Sequence, residues 1–213
     1  MNKRLAISVF IILLCLSNTF KGEAQIKKEN LKLGFSYGTG SQNKFPFNLD
    51  DYTHEVTFYK AQINYLIKEK RKWDFELNLE PSYNEAKHQL LNRYYVKPTD
   101  AENYQELTEL YMQKRTIKEY VLNIGFIARY KIYNGISTYA IGSLGPMISD
   151  KATERLAKGF AFSDIFGLGL SYGFNKLQLD FRYSVRHTSN LELKKPNGGH
   201  NTTNAELSVL FKL

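Results

Sequence analysis

The feature that most restricts this chain is a two-residue alternation of apolar and polar side chains. It recurs from residue 31 to the final residues. In "LQLDFRYSVRHTSN" (177–190), Leu177, Leu179, Phe181, Tyr183 and Val185 share one face. Gln178, Asp180, Arg182, Ser184 and Arg186 share the other. Extended backbone sends successive side chains to opposite faces, so such a segment reads as a strand with one apolar side. Continuing the count puts His187 and Ser189 on the apolar side, where polar groups need a reason.

The same rhythm appears in "LKLGFSYG" (31–38), "WDFELNLEPSYN" (73–84), "YVLNIGFIARYKI" (120–132), "FGLGLSYGF" (166–174) and "NAELSVLFKL" (204–213). Less regular strands near 54–67 and 136–149 bring the count to eight. "KEKRK", "YNG" and "GFNK" are short turns, whereas 39–53, 85–115, 150–159 and 190–200 are longer connections. An even number of strands, short turns at one end and long loops at the other describe an outer-membrane β-barrel. In hydrocarbon every backbone amide must be paired, so a sheet persists there only when closed. The expected fold is therefore an all-β, eight-stranded antiparallel barrel with apolar faces outward. Its lumen would be filled by side chains including Asp74, Glu76, Glu80, Arg182 and Arg186, paired among themselves, which argues against a pore. Tyrosines near strand ends suit interfacial girdles. A soluble barrel of the lipocalin type, with its apolar faces inward, fits the alternation equally well; the turn asymmetry and the aromatic-rich last strand favour the membrane.

The first 24 residues read as a signal peptide. Lys3 and Arg4 precede the apolar run "LAISVFIILLCL" (5–16), and Gly22 and Ala24 suit cleavage before Gln25. Twelve apolar residues fall short of the roughly 20 that a spanning helix needs, and no later segment reaches that length. The expected organisation is thus 1–24 signal peptide and 25–213 transmembrane barrel. The sole cysteine, Cys15, lies in the leader without the small neighbour that lipid attachment favours, so the mature chain has neither disulfide nor thiol chemistry. Beyond the leader, 26 basic residues stand against 20 acidic ones. In an exported protein that +6 balance suits an anionic membrane surface or lipopolysaccharide better than nucleic acid.

His187 and Ser189 fall near the loop end of the seventh strand, facing outward. A serine hydroxyl is protonated at neutral pH and needs a base to become a nucleophile. Residues i and i+2 of a strand lie about 6.6 Å apart on one face, near enough for leaning side chains to meet. Acyl chains beside the wall would then be the substrate of an outward pair. Alone, a histidine and serine two apart are weak evidence, because interfacial histidines are common at strand ends.

"RHTSNLELKKPNGGHN" (186–201) resembles the active-site segment of the lipid A 3-O-deacylase (PagL) family, also described as acyloxyacyl hydrolases. The matching pattern is His187, Ser189, Asn190, Pro196, Asn197 and Gly199. "TERLAKGFAFSDIFGLGLSY" (153–172) also resembles family members, without chemistry assignable to it. The resemblance implies a lipid-facing serine esterase of lipid A that needs no cofactor. In it His187 is the base, Ser189 the nucleophile and Asn190 an oxyanion donor. The family's acidic residue is a glutamate at the position of Asn201. By parity Asn201 lies on the outward face and would orient His187 by hydrogen bond, directly opposite Ser189 if the intervening loop is symmetric. Glu192 is an alternative acid, and an inactive site is a further alternative. His54, His88 and His200 show no spacing that suggests a metal site, so none is expected. The competing function is a non-enzymatic small barrel for adhesion or envelope integrity. Whether two barrels form a homodimer stays open.

Overall fold

The computed structural model describes residues 27–47 and 49–213; the signal peptide expected at 1–24 lies outside the described residues. Eight strands close into one antiparallel barrel in simple sequence order: β1 Leu31–Ser41, β2 Tyr52–Lys70, β3 Trp73–Leu90, β4 Arg115–Tyr133, β5 Ile136–Ser149, β6 Gly159–Phe174, β7 Leu177–Ser189 and β8 His200–Lys212. Closure is made by β1 and β8, which pair from Lys32↔Lys212 to Ser41↔Thr203. Among the described residues no strand edge is left free, which is the condition for a sheet in hydrocarbon.

Turn chemistry sets one end of the barrel. Asn134 and Gly135 connect β4 to β5 with positive φ at both residues (45° and 78°). That is the backbone of the two-residue hairpin turn whose twist matches its strands. A Cβ on Gly135 would sit 2.3 Å from the Gly173 carbonyl oxygen, so the position admits only glycine. The β2–β3 and β6–β7 turns are equally tight, with Arg71 and Asn175 also at positive φ. Residues 91–114 form the longest connection at the opposite end and carry a helix, α1, at Tyr104–Met112.

The outer face is apolar. Phe35, Leu77, Ile124, Phe126, Leu144, Phe166, Leu168, Leu170, Phe181 and Leu207 are all exposed. A continuous apolar surface of this kind is stable against hydrocarbon, not against water. Trp73 and Tyr130 pack together near the short turns, at 5.0 Å between centroids, and Tyr83 and Tyr120 pack toward the loops, at 5.5 Å. Ten residues of β3 separate the two pairs. At about 3.4 Å per residue and a tilt near 40°, they stand about 26 Å apart along the barrel axis, close to the height of a lipid-facing band.

The lumen is solid and polar. Arg182 reaches Glu80 and Glu206, and Lys60 joins the same two carboxylates. Nearer the turns, Arg129 and Lys32 meet at Glu76. Nearer the loops, Arg186 pairs with Glu119 at 2.8 Å. Apolar side chains fill the gaps, as in the cluster of Ile127, Tyr139 and Ile141. Charges inside and oil outside dispose of the lipocalin-type alternative.

β3 and β4 are longer than the alternation suggests. β3 runs to Leu90 and β4 starts at Arg115, so the expected loop 85–115 narrows to 91–114. Past Tyr83 the outward residues of β3 are Glu85, Lys87 and Gln89, while Ala86, His88 and Leu90 are buried inside. The sheet continues above the apolar band, where its outer face meets water and the greasy half of the pattern disappears.

Candidate active site

β7 carries the pair outward as its parity requires. His187 is exposed and Ser189 half-buried on the outer face, while Arg186 and Thr188 between and beside them are buried inside. Across the β7–β8 pair, His187 stands opposite Asn201 and Thr188 opposite His200. The register thus differs by two residues from a symmetric loop, which would have set Ser189 against Asn201. A two-residue shift leaves every side chain on its own face, so the outward placement of Asn201 survives while its partner changes.

That partner is the imidazole. His187 Nδ1 and Asn201 Oδ1 are 2.7 Å apart. An amide oxygen only accepts, so Nδ1 bears the hydrogen and Nε2 keeps its lone pair. Among the described residues, the Ser189 hydroxyl makes no hydrogen bond to the ring. On the other side β6 sets Asp164 opposite His187 and Phe162 opposite Ser189. Asp164 is exposed on a strand whose outward neighbours are Phe160, Phe162 and Phe166, a carboxylate that alternation alone did not single out.

The loop after Ser189 is held by its own asparagines. Asn190 is 1% exposed, and its side-chain amide donates to the Lys194 and Pro196 carbonyls at 2.6 and 3.5 Å. Its backbone N–H donates to Asn197 Oδ1 at 2.6 Å. Asn190 therefore does not meet the expectation of a side-chain amide free to donate to an oxyanion on the outer face: its parity is inward and its donors are engaged. Gly199 has φ +65°, and a Cβ there would lie 2.3 Å from the Thr188 carbonyl oxygen and 3.2 Å from His187 Cε1. The glycine of the motif is thus a space requirement of the imidazole and its strand.

Glu192 stands away from the pair. It lines a 760 Å³ cavity among the extramembrane loops with Tyr95, Leu107, Tyr111, Glu154 and Lys195, and Asn201 occupies Nδ1 in its place. The segment resembling the family upstream of β6 acts as a clamp on this loop. Arg155 donates to the Gly198 and Gly199 carbonyls at 3.0 and 2.7 Å and to the Tyr95 hydroxyl at 2.9 Å. Ala157 N–H bonds the Pro196 carbonyl, and Leu156 bridges Asn197. Burial raises the Tyr95 phenol above its ordinary pKa against the lowering influence of Arg155, so Tyr95 stays neutral.

The three histidines that looked unrelated in sequence converge. His54 and His88 are cross-strand partners, and the β8 register brings His200 beside them inside the barrel. A ring nitrogen of each lies within 4.8 Å of the others. Sequence spacing misses this because the histidines sit on three strands brought together by closure.

Residues 56–209 match the family model described as lipid A 3-O-deacylase (PagL). The chain belongs to that family. Its members are lipid A deacylases, ester hydrolases of the outer membrane, and the protein is an outer-membrane β-barrel. Among solved structures it is similar to the crystal structure of the outer membrane enzyme PagL, with TM-score 0.52 and 12% identity over 85% of this chain and 99% of that one. It is similar to Neisserial surface protein A (NspA) with TM-score 0.50 and 12% identity, covering 86% and 97%. At these identities the likeness concerns the barrel alone. No curated protein sequence matches the chain.

Proposed function

We propose that the protein hydrolyses an ester-linked acyl chain of lipid A, through Ser189 as nucleophile and His187 as general base. The observation that carries this reading is the hydrogen bond from His187 Nδ1 to Asn201, which leaves Nε2 available on the lipid-facing surface two residues from a serine. Family membership supports the substrate class, and the family description points to the 3-O chain.

In the proposed reaction, the Ser189 side chain turns toward Nε2 as the ester approaches. Nε2 takes the hydroxyl proton while Oγ attacks the ester carbonyl. The tetrahedral intermediate collapses as His187 returns that proton to the sugar oxygen, leaving an acyl-serine. Water, deprotonated by the same nitrogen, then attacks the acyl-serine, and the proton passes to Ser189 Oγ as the fatty acid leaves. Asn201 fixes the tautomer, and Asp164 on the opposite strand supplies negative charge that favours the imidazolium. Asn190 contributes by holding the loop. Phe162 and the exposed Leu191 and Leu193 offer acyl chains an apolar path, and the exposed Lys194 and Lys195 suit an anionic headgroup.

One observation favours the alternative of a non-enzymatic barrel: an amide stands where the family has a carboxylate, and an amide cannot stabilise an imidazolium as a charge does. Mass spectrometry of lipid A from cells expressing the protein separates the readings. Loss of one acyl chain with wild type, and not with Ser189→Ala or His187→Ala, supports the esterase. Unchanged lipid A from cells with folded wild type supports the structural reading.

A further inference from the structure

We propose that His54, His88 and His200 form an intrabarrel site for a transition-metal dication of the zinc class, beneath the extracellular loops and across the wall from the lipid-facing pair. All three rings are buried. His54 Nδ1 and His88 Nδ1 are 3.2 Å apart. Two nitrogens on a tetrahedral ion with bonds of about 2.0–2.1 Å lie about 3.3 Å apart, so this pair already has the spacing of one edge of the tetrahedron. The His54 and His200 rings stack face to face at 4.3 Å between centroids, so one of them tilts out of the stack when both nitrogens meet a common ion.

Two buried atoms around the cluster have no hydrogen-bond partner. His200 Nε2 is 3.0 Å from Thr153 Oγ1, but His200 Nδ1 has none; Glu154 Oε2 is 2.8 Å from His88 Nε2, but Glu154 Oε1 has none. Buried polar atoms are ordinarily satisfied, and a dication meets both needs. It takes an imidazole nitrogen as ligand, and it adds the positive charge that a buried carboxylate lacks. The Glu154–His88 contact is the arrangement in which a carboxylate fixes the tautomer of a metal-bound histidine: Nε2–H donates to Glu154, and Nδ1 turns its lone pair to the ion. Glu154 is thus a positioning residue. Three neutral imidazoles are ligands of borderline softness, favouring zinc, copper or nickel over calcium or magnesium. Arg155 and Arg186 bring positive charge nearby; Glu119 pairs Arg186, which leaves Glu154 to offset the ion.

The position gives the ion a structural task. It would join β2, β3, the loop after β5 and the first residue of β8. His200 and Asn201 are consecutive, one pointing inward to the cluster and the other outward to His187. An ion on His200 therefore stiffens the strand end that presents Asn201.

The test uses the full barrel, folded in detergent, stripped with chelator and titrated with ZnCl₂ and CoCl₂. The expected result is one ion per chain, a rise in thermal midpoint with zinc, and the intense visible bands of four-coordinate cobalt. His88→Gln and His200→Gln should bind at least 100-fold more weakly, and Glu154→Gln 10- to 100-fold more weakly, with gel mobility verifying that each barrel is closed. If a variant fails to fold, wild type alone decides through stoichiometry and the cobalt spectrum. Folded wild type that binds no ion stoichiometrically, or variants that bind as well as wild type, would overturn the site.

Discussion

His187 on β7 and Asn201 on β8 are direct cross-strand partners, joined by a 2.7 Å hydrogen bond on the outer surface of the barrel. The contact sets which imidazole nitrogen is free, and in the proposed reaction that decides whether the neighbouring serine has a base. Replacing Asn201 by leucine removes the acceptor and frees the ring to rotate. The expected outcome is a fall in kcat of about tenfold or more with little change in KM. Asn201→Glu supplies a charge-assisted acceptor and should raise kcat by about tenfold, equivalent to about 1.4 kcal/mol. Fatty-acid release from lipopolysaccharide in mixed micelles measures both. Leucine without effect would remove Asn201 from the proposal.

Asp164 flanks His187 from β6. Cross-strand charge pairs contribute about 0.2–1 kcal/mol, so Asp164→Asn should lower kcat about two- to fivefold. Its effect should be larger in the Asn201→Leu background, because two acceptors flanking one ring do not act independently. Strict additivity in this double-mutant cycle would contradict the coupling.

Gly199→Ala tests the space beside the imidazole. The barrel should still close, as judged by heat-dependent gel mobility. A positive-φ alanine costs about 1–3 kcal/mol of strain, and its Cβ meets the Thr188 carbonyl. Activity should fall by more than tenfold. A fully active, equally stable Gly199→Ala barrel would show that the loop has room that its geometry denies.

The clamp is probed by Arg155→Met. It removes three hydrogen bonds that tie Arg155 to Gly198, Gly199 and Tyr95, each worth about 1.5–3 kcal/mol as a charged donor. Limited proteolysis of the folded barrel should cut within 190–199 faster than in wild type. Equal cleavage rates would mean that the loop is held by its own asparagines alone.

Arg182→Met leaves Glu80 and Glu206 buried with Lys60 as their remaining cation. Breaking such a network costs about 3–5 kcal/mol, readable as a lower urea midpoint in lipid vesicles. An unchanged midpoint would mean that lumen charges are better hydrated than their burial suggests.

Much of this was legible in sequence, because a membrane barrel writes its two environments into alternate residues. Parity alone placed His187, Ser189 and Asn201 outside and Arg182 and Arg186 inside. What parity does not encode is register: it cannot tell whether Asn201 faces Ser189 or His187, since both share a face. The stagger at which the barrel closes is equally silent in sequence, so His54, His88 and His200 looked scattered until β8 returned beside β1. For Asn190 the pattern position names a neighbour of the serine, while its inward parity commits its amide to the loop. Glu192 was too close in sequence to dismiss, and only the loop's path carries it into a separate cavity. The long ends of β3 and β4 escaped notice because strands above the apolar band lose the oily half of the signal.

The most direct measurement is covalent trapping of the nucleophile. A long-chain alkyl phosphonate directed at serine esterases is incubated with the folded barrel, followed by peptide mass mapping. A single adduct on Ser189, absent in His187→Ala, is the predicted result. An adduct on another residue, or fatty-acid release by a protein whose Ser189 stays unlabelled, would contradict the assignment.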